Sequence, residues 1–147
     1  GMETLPLRMQ RHIDNTRKIV AHLAAHAAVE SVSYPELESH PDHAMAKQLL
    51  PKGCGAVFSF VLKGGPHGGK LAGRKFIETL RVFSHLANVG DAKSLVIHPA
   101  STTHFRMSDE ALRASGIHEG TVRLSIGLED AGDLIADLEA GLKASQK

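Results

Sequence analysis

The sequence is short of the residues that build disulfides, zinc cages and base-stacking surfaces. Its 147 residues include one cysteine, Cys54, which excludes an intrachain disulfide and a cysteine-based zinc cage. The aromatic residues are five Phe and one Tyr with no Trp, which leaves few rings for stacking on single-stranded nucleic acid. The single thiol favours a reducing, cytosolic setting as the expected location.

Neither charge nor hydropathy indicates a polymer or a membrane as partner. Seventeen Lys+Arg against sixteen Asp+Glu give a net charge of +1, so no basic footprint for nucleic acid or an anionic membrane is present. The longest mainly apolar run, residues 53–62, is too short to span a bilayer, and the first residues do not resemble a signal peptide. We therefore expect no nucleic-acid partner and no membrane partner.

Hydrophobic periodicity predicts one domain over residues 1–147 that alternates helices and strands. Helices are predicted at 5–27, 41–50, 70–80, 108–115 and 131–144, and strands at 29–32, 55–62, 81–89, 94–97 and 121–126. This order predicts a two-layer α/β fold with the helices on one face of the sheet. The 55–62 strand is apolar on both faces and is expected in the middle of the sheet. In the first helix, His12 and Asn15 fall largely between the apolar positions, which predicts them on the polar side.

The ten histidines invite a metal interpretation. His22 and His26 are four residues apart on the first predicted helix, a spacing that allows both to bind one metal ion, and His40 and His43 form a second, weaker pair. Neither pair comes with the glutamate of a zincin motif or with an indicated third ligand. We predict no metal site and expect most of the histidines at the surface or at caps.

Two other motifs have a chemical and a structural interpretation, and the structural one is favoured in both cases. The glycine-rich segment 63–70 lacks the frame of a phosphate-binding loop, because Leu71 follows Lys70 where Ser or Thr is required. It is predicted to be a flexible connection. Cys54 lies between two glycines with no base beside it in sequence, so a buried, inert thiol is favoured over a nucleophile.

An arginine in the middle of an apolar strand is the most informative single residue. Alternation places Val122 and Leu124 on one face and Arg123 on the other. An arginine at such a place is costly unless it meets an anion or points into a cleft, and its planar fork suits a carboxylate. From periodicity alone, a strand arginine that reaches solvent is equally well supported. The loops at 88–94 and 100–104 offer amide and hydroxyl groups that could complete an anion site.

Long stretches of the chain resemble the C-terminal domain of the Cys/Met-metabolism pyridoxal-phosphate enzymes. The resemblance is carried by LANVGDAKSLVIHPASTTH at 86–104 and VRLSIGLED at 122–130. ETLPLRMQRH at 3–12 and YPELESHPDHAMAKQLLPKGCGA at 34–56 match the same family, so the similarity runs from end to end. The sequence around Asn88, NVGDAKSL, is most similar to the O-acetylhomoserine sulfhydrylase branch.

The resemblance implies the small C-terminal domain of a fold-type-I enzyme, with a mixed or antiparallel sheet and helices on one side, which closes over the substrate. By the same resemblance, Arg123 grips the substrate α-carboxylate, Asn88 assists there, and Thr103 lines the same region. Pyridoxal phosphate is the implied cofactor, but its lysine belongs to the family's large domain, and no lysine of this chain sits in that motif. The resemblance therefore implies no catalytic, cofactor-binding or metal-binding residue in this chain.

The implied function is the C-terminal portion of an O-acetylhomoserine sulfhydrylase-like enzyme, inactive as an isolated chain. Its expected partners are an amino-acid substrate of the O-acetylhomoserine class and either the missing large domain or further copies of itself. A standalone interaction module is the alternative, and an exposed apolar patch on the first helix would be its sign. A free amino-acid binder that uses Arg123 is weaker, since half of the family's pocket lies in the large domain.

Overall fold

A five-stranded mixed sheet forms the frame of the chain. The computed structural model describes residues 1–102 and 106–147. The strands are β1 (Val29–Ser33), β2 (Val57–Leu62), β3 (Ser84–His85), β4 (Leu95–Ile97) and β5 (Thr121–Ser125), in the spatial order β1-β2-β5-β4-β3. Only the β3–β4 pair is parallel; the other neighbouring strands are antiparallel. The expected mixed sheet is confirmed. β2 is an inner strand, one place from the middle strand β5, and only one of its faces is fully buried.

Five α-helices connect these strands in the described part of the chain. They are α1 (Leu5–Ala24), α2 (His43–Leu49), α3 (Gly69–Thr79), α4 (Asp109–Ala114) and α5 (Ala131–Ser145). The predicted cap of the last helix is confirmed, because the Asp130 carboxylate accepts hydrogen bonds from the backbone N–H groups of Gly132 and Asp133. None of the described helices is both long enough and apolar enough to cross a membrane.

The hydrophobic core lies between one face of the sheet and three helices. Alternate residues of β2 and β5, among them Phe60 and Leu124, point into it. The helices contribute apolar side chains at helical spacing, in α1 Ile19, Val20 and Leu23, in α3 Phe76 and Ile77, and in α5 Leu134, Leu138 and Leu142. The predicted α/β fold with helices on one face is therefore confirmed.

The strand predicted at 81–89 is largely wrong, since only Ser84–His85 forms a strand. The backbone N–H groups of residues 81–83 donate instead to the carboxylate of Asp137 on α5, over 2.8, 2.9 and 3.1 Å. These donors are satisfied by a side chain rather than by a neighbouring strand. The segment therefore bends around the helix before it joins the sheet.

Other predicted bounds shift by a few residues. α1 ends at Ala24 instead of residue 27, because the N–H groups of His26 and Val29 form turn hydrogen bonds that lead into β1. α2 is shorter than the predicted 41–50. The predicted flexible connection at 63–70 contains a 3-10 turn, Gly65–His67.

Replacement of Asp137 by Ala tests the contact that bends residues 81–83. A buried donor that loses its partner costs about 1–3 kcal/mol, so we expect the free energy of unfolding to fall by roughly 2–4 kcal/mol. Urea unfolding measures the change. Asp133→Ala, an exposed position of the same helix, is the control and should change this free energy by less than about 1 kcal/mol. Equal losses in the two variants would contradict a role for the Asp137 contacts.

Candidate functional site

Arg123 stands in the centre of the sheet, on the face turned away from α1, α3 and α5. Its strand, β5, is the middle strand, and Arg123 lies opposite Ser59 of β2 and Ile97 of β4. Its neighbours Val122 and Leu124 are fully buried on the helix side, so the predicted alternation is confirmed. Arg123 itself is half-buried. Its side chain therefore lies partly against the sheet and is not fully surrounded by water.

The Arg123 guanidinium forms no ion pair and no hydrogen bond with any residue that the structure describes. Its partners on the neighbouring strands are Ser59 and Ile97, and neither carries a negative charge. A half-buried guanidinium without a countercharge leaves five donors to be satisfied by water or by a ligand. Its planar fork matches a carboxylate, with which it can form two parallel N–H···O bonds. The arrangement is suited to binding a carboxylate from the open side of the sheet.

Asn88 lies on an exposed loop that is fastened beside the same strand. The backbone N–H of Gly90 donates to the Ser125 hydroxyl over 3.3 Å, and Ser125 is two residues from Arg123 on the same face. Gly90 has a φ of +74°, a conformation that side chains rarely tolerate. The Asn88 side-chain oxygen accepts the backbone N–H of Val89 at 2.9 Å. The structure thus brings the Asn88 loop to the strand of Arg123, while the Asn88 side chain itself is exposed.

Thr103, the third residue expected at the site, lies outside the described residues. The backbone that leads to it is held by His98, which is fully buried after β4. The His98 ring contacts the Ser101 hydroxyl at 2.8 Å through Nδ1 and the Glu119 carbonyl at 2.6 Å through Nε2. A carbonyl only accepts, so these contacts fit a neutral ring that donates from Nε2 and accepts at Nδ1. Burial lowers the pKa of His98, and this outweighs the hydrogen bond to the Glu119 carbonyl, which raises it; the charges of Lys70 and His85 lower it further.

Two polar residues of α1 fix the end of the strand that carries Arg123. The His12 ring meets the carbonyl of Ile126 at 2.6 Å, and the Asn15 amide donates to the carbonyls of Gly127 and Glu129 at 3.1 and 2.8 Å. Both side chains are buried, so their predicted place on the polar side of the helix is wrong. Apolar spacing gave no sign of these contacts, because their partners are backbone carbonyls distant in sequence.

The same turn is fixed from the other side by Glu129. Its carboxylate accepts the Ser94 backbone N–H at 2.7 Å and the Ser94 hydroxyl at 2.8 Å. Ser94 in turn accepts the backbone N–H of Gly127 at 2.7 Å. A Cβ atom at Gly127 would lie 2.4 Å from the carbonyl oxygen of Ala92, so only glycine fits. These contacts join the starts of β4 and α5 to the end of β5.

The chain's own lysines do not fit the role of a cofactor-binding lysine. A lysine that carries an aldehyde cofactor works in an enclosed pocket, where desolvation tunes its amine. Eight of the lysines are exposed and the ninth, Lys75, is half-buried. The expectation that none of them holds pyridoxal phosphate stays a prediction.

A mixed five-stranded sheet with helices on one face is the arrangement expected for the small C-terminal domain of a fold-type-I enzyme. The family model described as Cys/Met metabolism PLP-dependent enzyme matches residues 1–143. The chain belongs to this family.

Similar proteins carry several activities. An O-acetyl-L-homoserine sulfhydrylase of Leptospira meyeri is 47% identical over 144 residues, which are 97% of this chain and 32% of that protein. An L-methionine gamma-lyase of Fusobacterium nucleatum subsp. polymorphum is 46% identical over 143 residues, or 97% of this chain and 35% of that protein. A cystathionine gamma synthase from Xanthomonas oryzae pv. oryzae, solved in complex with cystathionine, has a TM-score of 0.87 and 44% identity over 99% of this chain and 36% of its own. The chain spans about a third of the length of the curated relatives it matches.

The buried imidazole of His98 should make the stability of the fold depend on pH. Because burial lowers the pKa of His98 in the folded chain, the unfolded chain binds a proton first as the pH falls below about 6.5. The contribution of His98 to stability is complete at pH 7 and is lost as the pH falls from there through the folded pKa. NMR titration of the His98 ring should show a pKa below about 6.5. A ring that becomes protonated at or above that value would contradict the neutral, hydrogen-bonded arrangement.

Proposed function

We propose that the chain supplies the α-carboxylate subsite of a pyridoxal-phosphate-dependent enzyme of the O-acetylhomoserine sulfhydrylase type. The whole enzyme would convert O-acetylhomoserine and sulfide or a thiol into homocysteine or its thioether and acetate. The observation that carries the proposal is the half-buried guanidinium of Arg123, which has no partner among the described residues and lies on the face that no core helix covers.

In this proposal Arg123 binds and orients the amino acid and does not move protons. Its fork holds both carboxylate oxygens, which fixes the direction of the amino acid's remaining groups. The exposed Asn88 amide on the loop beside the strand would add a donor to the same carboxylate. The similarity to a synthase solved with cystathionine, an amino acid, supports a ligand of this class.

The sulfhydrylase branch is favoured over the lyase branch by one segment. Overall identity does not separate them, since the sulfhydrylase and the gamma-lyase relatives are 47% and 46% identical to this chain. The Asn-Val-Gly segment at 88–90 resembles the sulfhydrylase branch, and this segment is the one fastened to Ser125 beside Arg123. The branch is thus proposed from residues beside the site.

Pyridoxal phosphate, when bound in the whole enzyme, supplies the electron sink for bond cleavage at the substrate. The residues of this chain would position the substrate against it. The chain would be inactive alone, because its lysines are exposed or half-buried and offer no enclosed cofactor site. The partner that completes the site would be the large cofactor domain of the same enzyme type.

Exposed apolar side chains are consistent with a surface that this large domain covers. Met2, Leu5 and Leu7 are 84%, 43% and 75% exposed around the start of α1, and Leu86 and Val89 are 53% and 55% exposed near Asn88. Apolar side chains that form a contiguous exposed patch mark an interaction surface, and in this proposal the large domain would cover both groups. The same observation favours the second candidate, a separate module that pairs with a large-domain chain or with its own copies.

Substitution of Arg123 in the full-length enzyme tests the carboxylate subsite. Arg123→Lys keeps the charge but loses the two-point contact, and we expect KM for the amino acid to rise by roughly 10- to 100-fold, with Arg123→Ala at or above the upper end. Steady-state kinetics at varied amino-acid concentration measure the effect. Arg74→Ala is the control, because Arg74 is exposed and paired with Glu78 on α3. An unchanged KM in Arg123→Ala would refute the assignment.

Cofactor labelling of the isolated 147-residue chain tests where the cofactor lysine lies. Pyridoxal phosphate is added, any lysine adduct is reduced with borohydride, and the labelled position is mapped by mass spectrometry. We expect scattered, substoichiometric labelling, because the lysines are surface groups of similar exposure. Stoichiometric labelling of a single lysine would show that this chain has a cofactor site of its own, and the proposal of a partial site would be wrong.

A further inference from the structure

Three side chains of types that can bind a metal ion meet where the end of α1 and the turn after it pack on α5, away from the carboxylate subsite. The Nε2 atoms of His22 and His26 lie 3.2 and 3.1 Å from the same carboxylate oxygen, Oε2 of Glu139 on α5. All three ligand atoms lie within 4.8 Å of one another, and all three residues are half-buried. The sequence indicated the histidine pair but no third ligand, because Glu139 reaches it only through the packing of α1 on α5.

We propose that His22, His26 and Glu139 form a binding site for a divalent transition-metal ion, with Zn²⁺ as the ion that fits best. In tetrahedral zinc sites with bonds of about 2.0–2.1 Å, neighbouring ligand atoms are about 3.3 Å apart. The two nitrogen–oxygen distances lie close to that value. Two imidazoles and one carboxylate form a donor set that zinc uses with a water molecule in the fourth position.

The end of α1 and the turn after it bring the two imidazoles together. His22 lies in the last turn of α1, whereas His26 lies just past the helix, where its backbone N–H donates to the Leu23 carbonyl at 3.1 Å. The two rings have centroids 5.7 Å apart. The third ligand comes from a different helix, so an ion bound here would link α1 to α5. With 30%, 19% and 32% side-chain exposure for His22, His26 and Glu139, the site is open enough for an ion to enter with bound water.

The glutamate is in the right state to act as a ligand. A glutamate carboxyl with this much access to water carries its charge at neutral pH, and Oε2 of Glu139 faces both imidazoles. The Lys143 ammonium lies 3.8 Å from the other carboxylate oxygen and is 71% exposed, so it can move into solvent when an ion binds.

Without metal, His26 is held in the tautomer that opposes binding. Its Nδ1 accepts the Ala28 backbone N–H at 3.0 Å, so its proton lies on Nε2 and is donated to Glu139. A metal ion on Nε2 requires the proton to move to Nδ1, which breaks the bond to the Ala28 amide. Binding therefore has a built-in cost and a local signature at Ala28.

Calorimetric titration of the 147-residue chain with Zn²⁺ at pH 7.5, and with Mg²⁺ for comparison, tests the site. We expect one Zn²⁺ per chain and no Mg²⁺ binding, since Mg²⁺ prefers oxygen ligands. Loss of an outer-shell partner already weakens metal sites by roughly 10- to 100-fold, so loss of a ligand in His22→Ala or Glu139→Gln should weaken binding by about 100-fold or more.

The control is His67→Ala, an exposed histidine on the turn before α3, which should leave Zn²⁺ affinity unchanged. A second readout is hydrogen exchange at the Ala28 amide, which should accelerate when Zn²⁺ binds to the unsubstituted chain. Circular dichroism of each variant separates loss of the site from loss of the fold. Equal weakening in His67→Ala and His22→Ala, or Zn²⁺ binding with no change at Ala28, would show adventitious binding by surface histidines and overturn the proposal.

Discussion

The arrangement of the chain depends on the buried hydrogen bonds between α1 and the turn that ends β5. The carbonyls of Ile126, Gly127 and Glu129 are capped by His12 and Asn15, and each buried polar group left unpaired would cost about 1–3 kcal/mol. Apolar contacts alone allow a helix to slide or rotate on a sheet with little penalty. Directional hydrogen bonds to backbone carbonyls prevent such sliding and rotation, so α1 has one position relative to β5.

The fixed end of β5 also fixes the backbone of Arg123, which lies three residues before Ile126, whose carbonyl meets His12. A guanidinium in the centre of a sheet is tolerated only when its donors find partners in water or in a ligand. The chain supplies a rigid strand beneath it and a fastened loop beside it, through Gly90 and Ser125. It supplies no internal countercharge among the described residues. Such an arrangement is organised for an external anion before that anion binds.

Local pattern was sufficient to predict the order of the elements and the side of the sheet on which Arg123 lies. Both depend on periodicity within a few residues, which a sequence displays directly. The failures have one physical origin. Both the 81–89 strand and the polar side of α1 depend on hydrogen bonds between a side chain and backbone that is distant in sequence. Asp137 makes these bonds in the first case, and His12 and Asn15 make them in the second. Side-chain bonds to distant backbone leave no periodic trace.

These distant contacts also fix α1 near both of its ends. At its first half, His12 and Asn15 hold the turn just before α5, and at its last turn His22 meets Glu139 within α5. A helix fixed at two points on the same partner cannot tilt independently of it. Each polar contact therefore restricts the same rigid pair, α1 and α5, against which the core residues of β5 pack. The position of Arg123 therefore depends on its own strand and also on the helices that pack on the opposite face of the sheet.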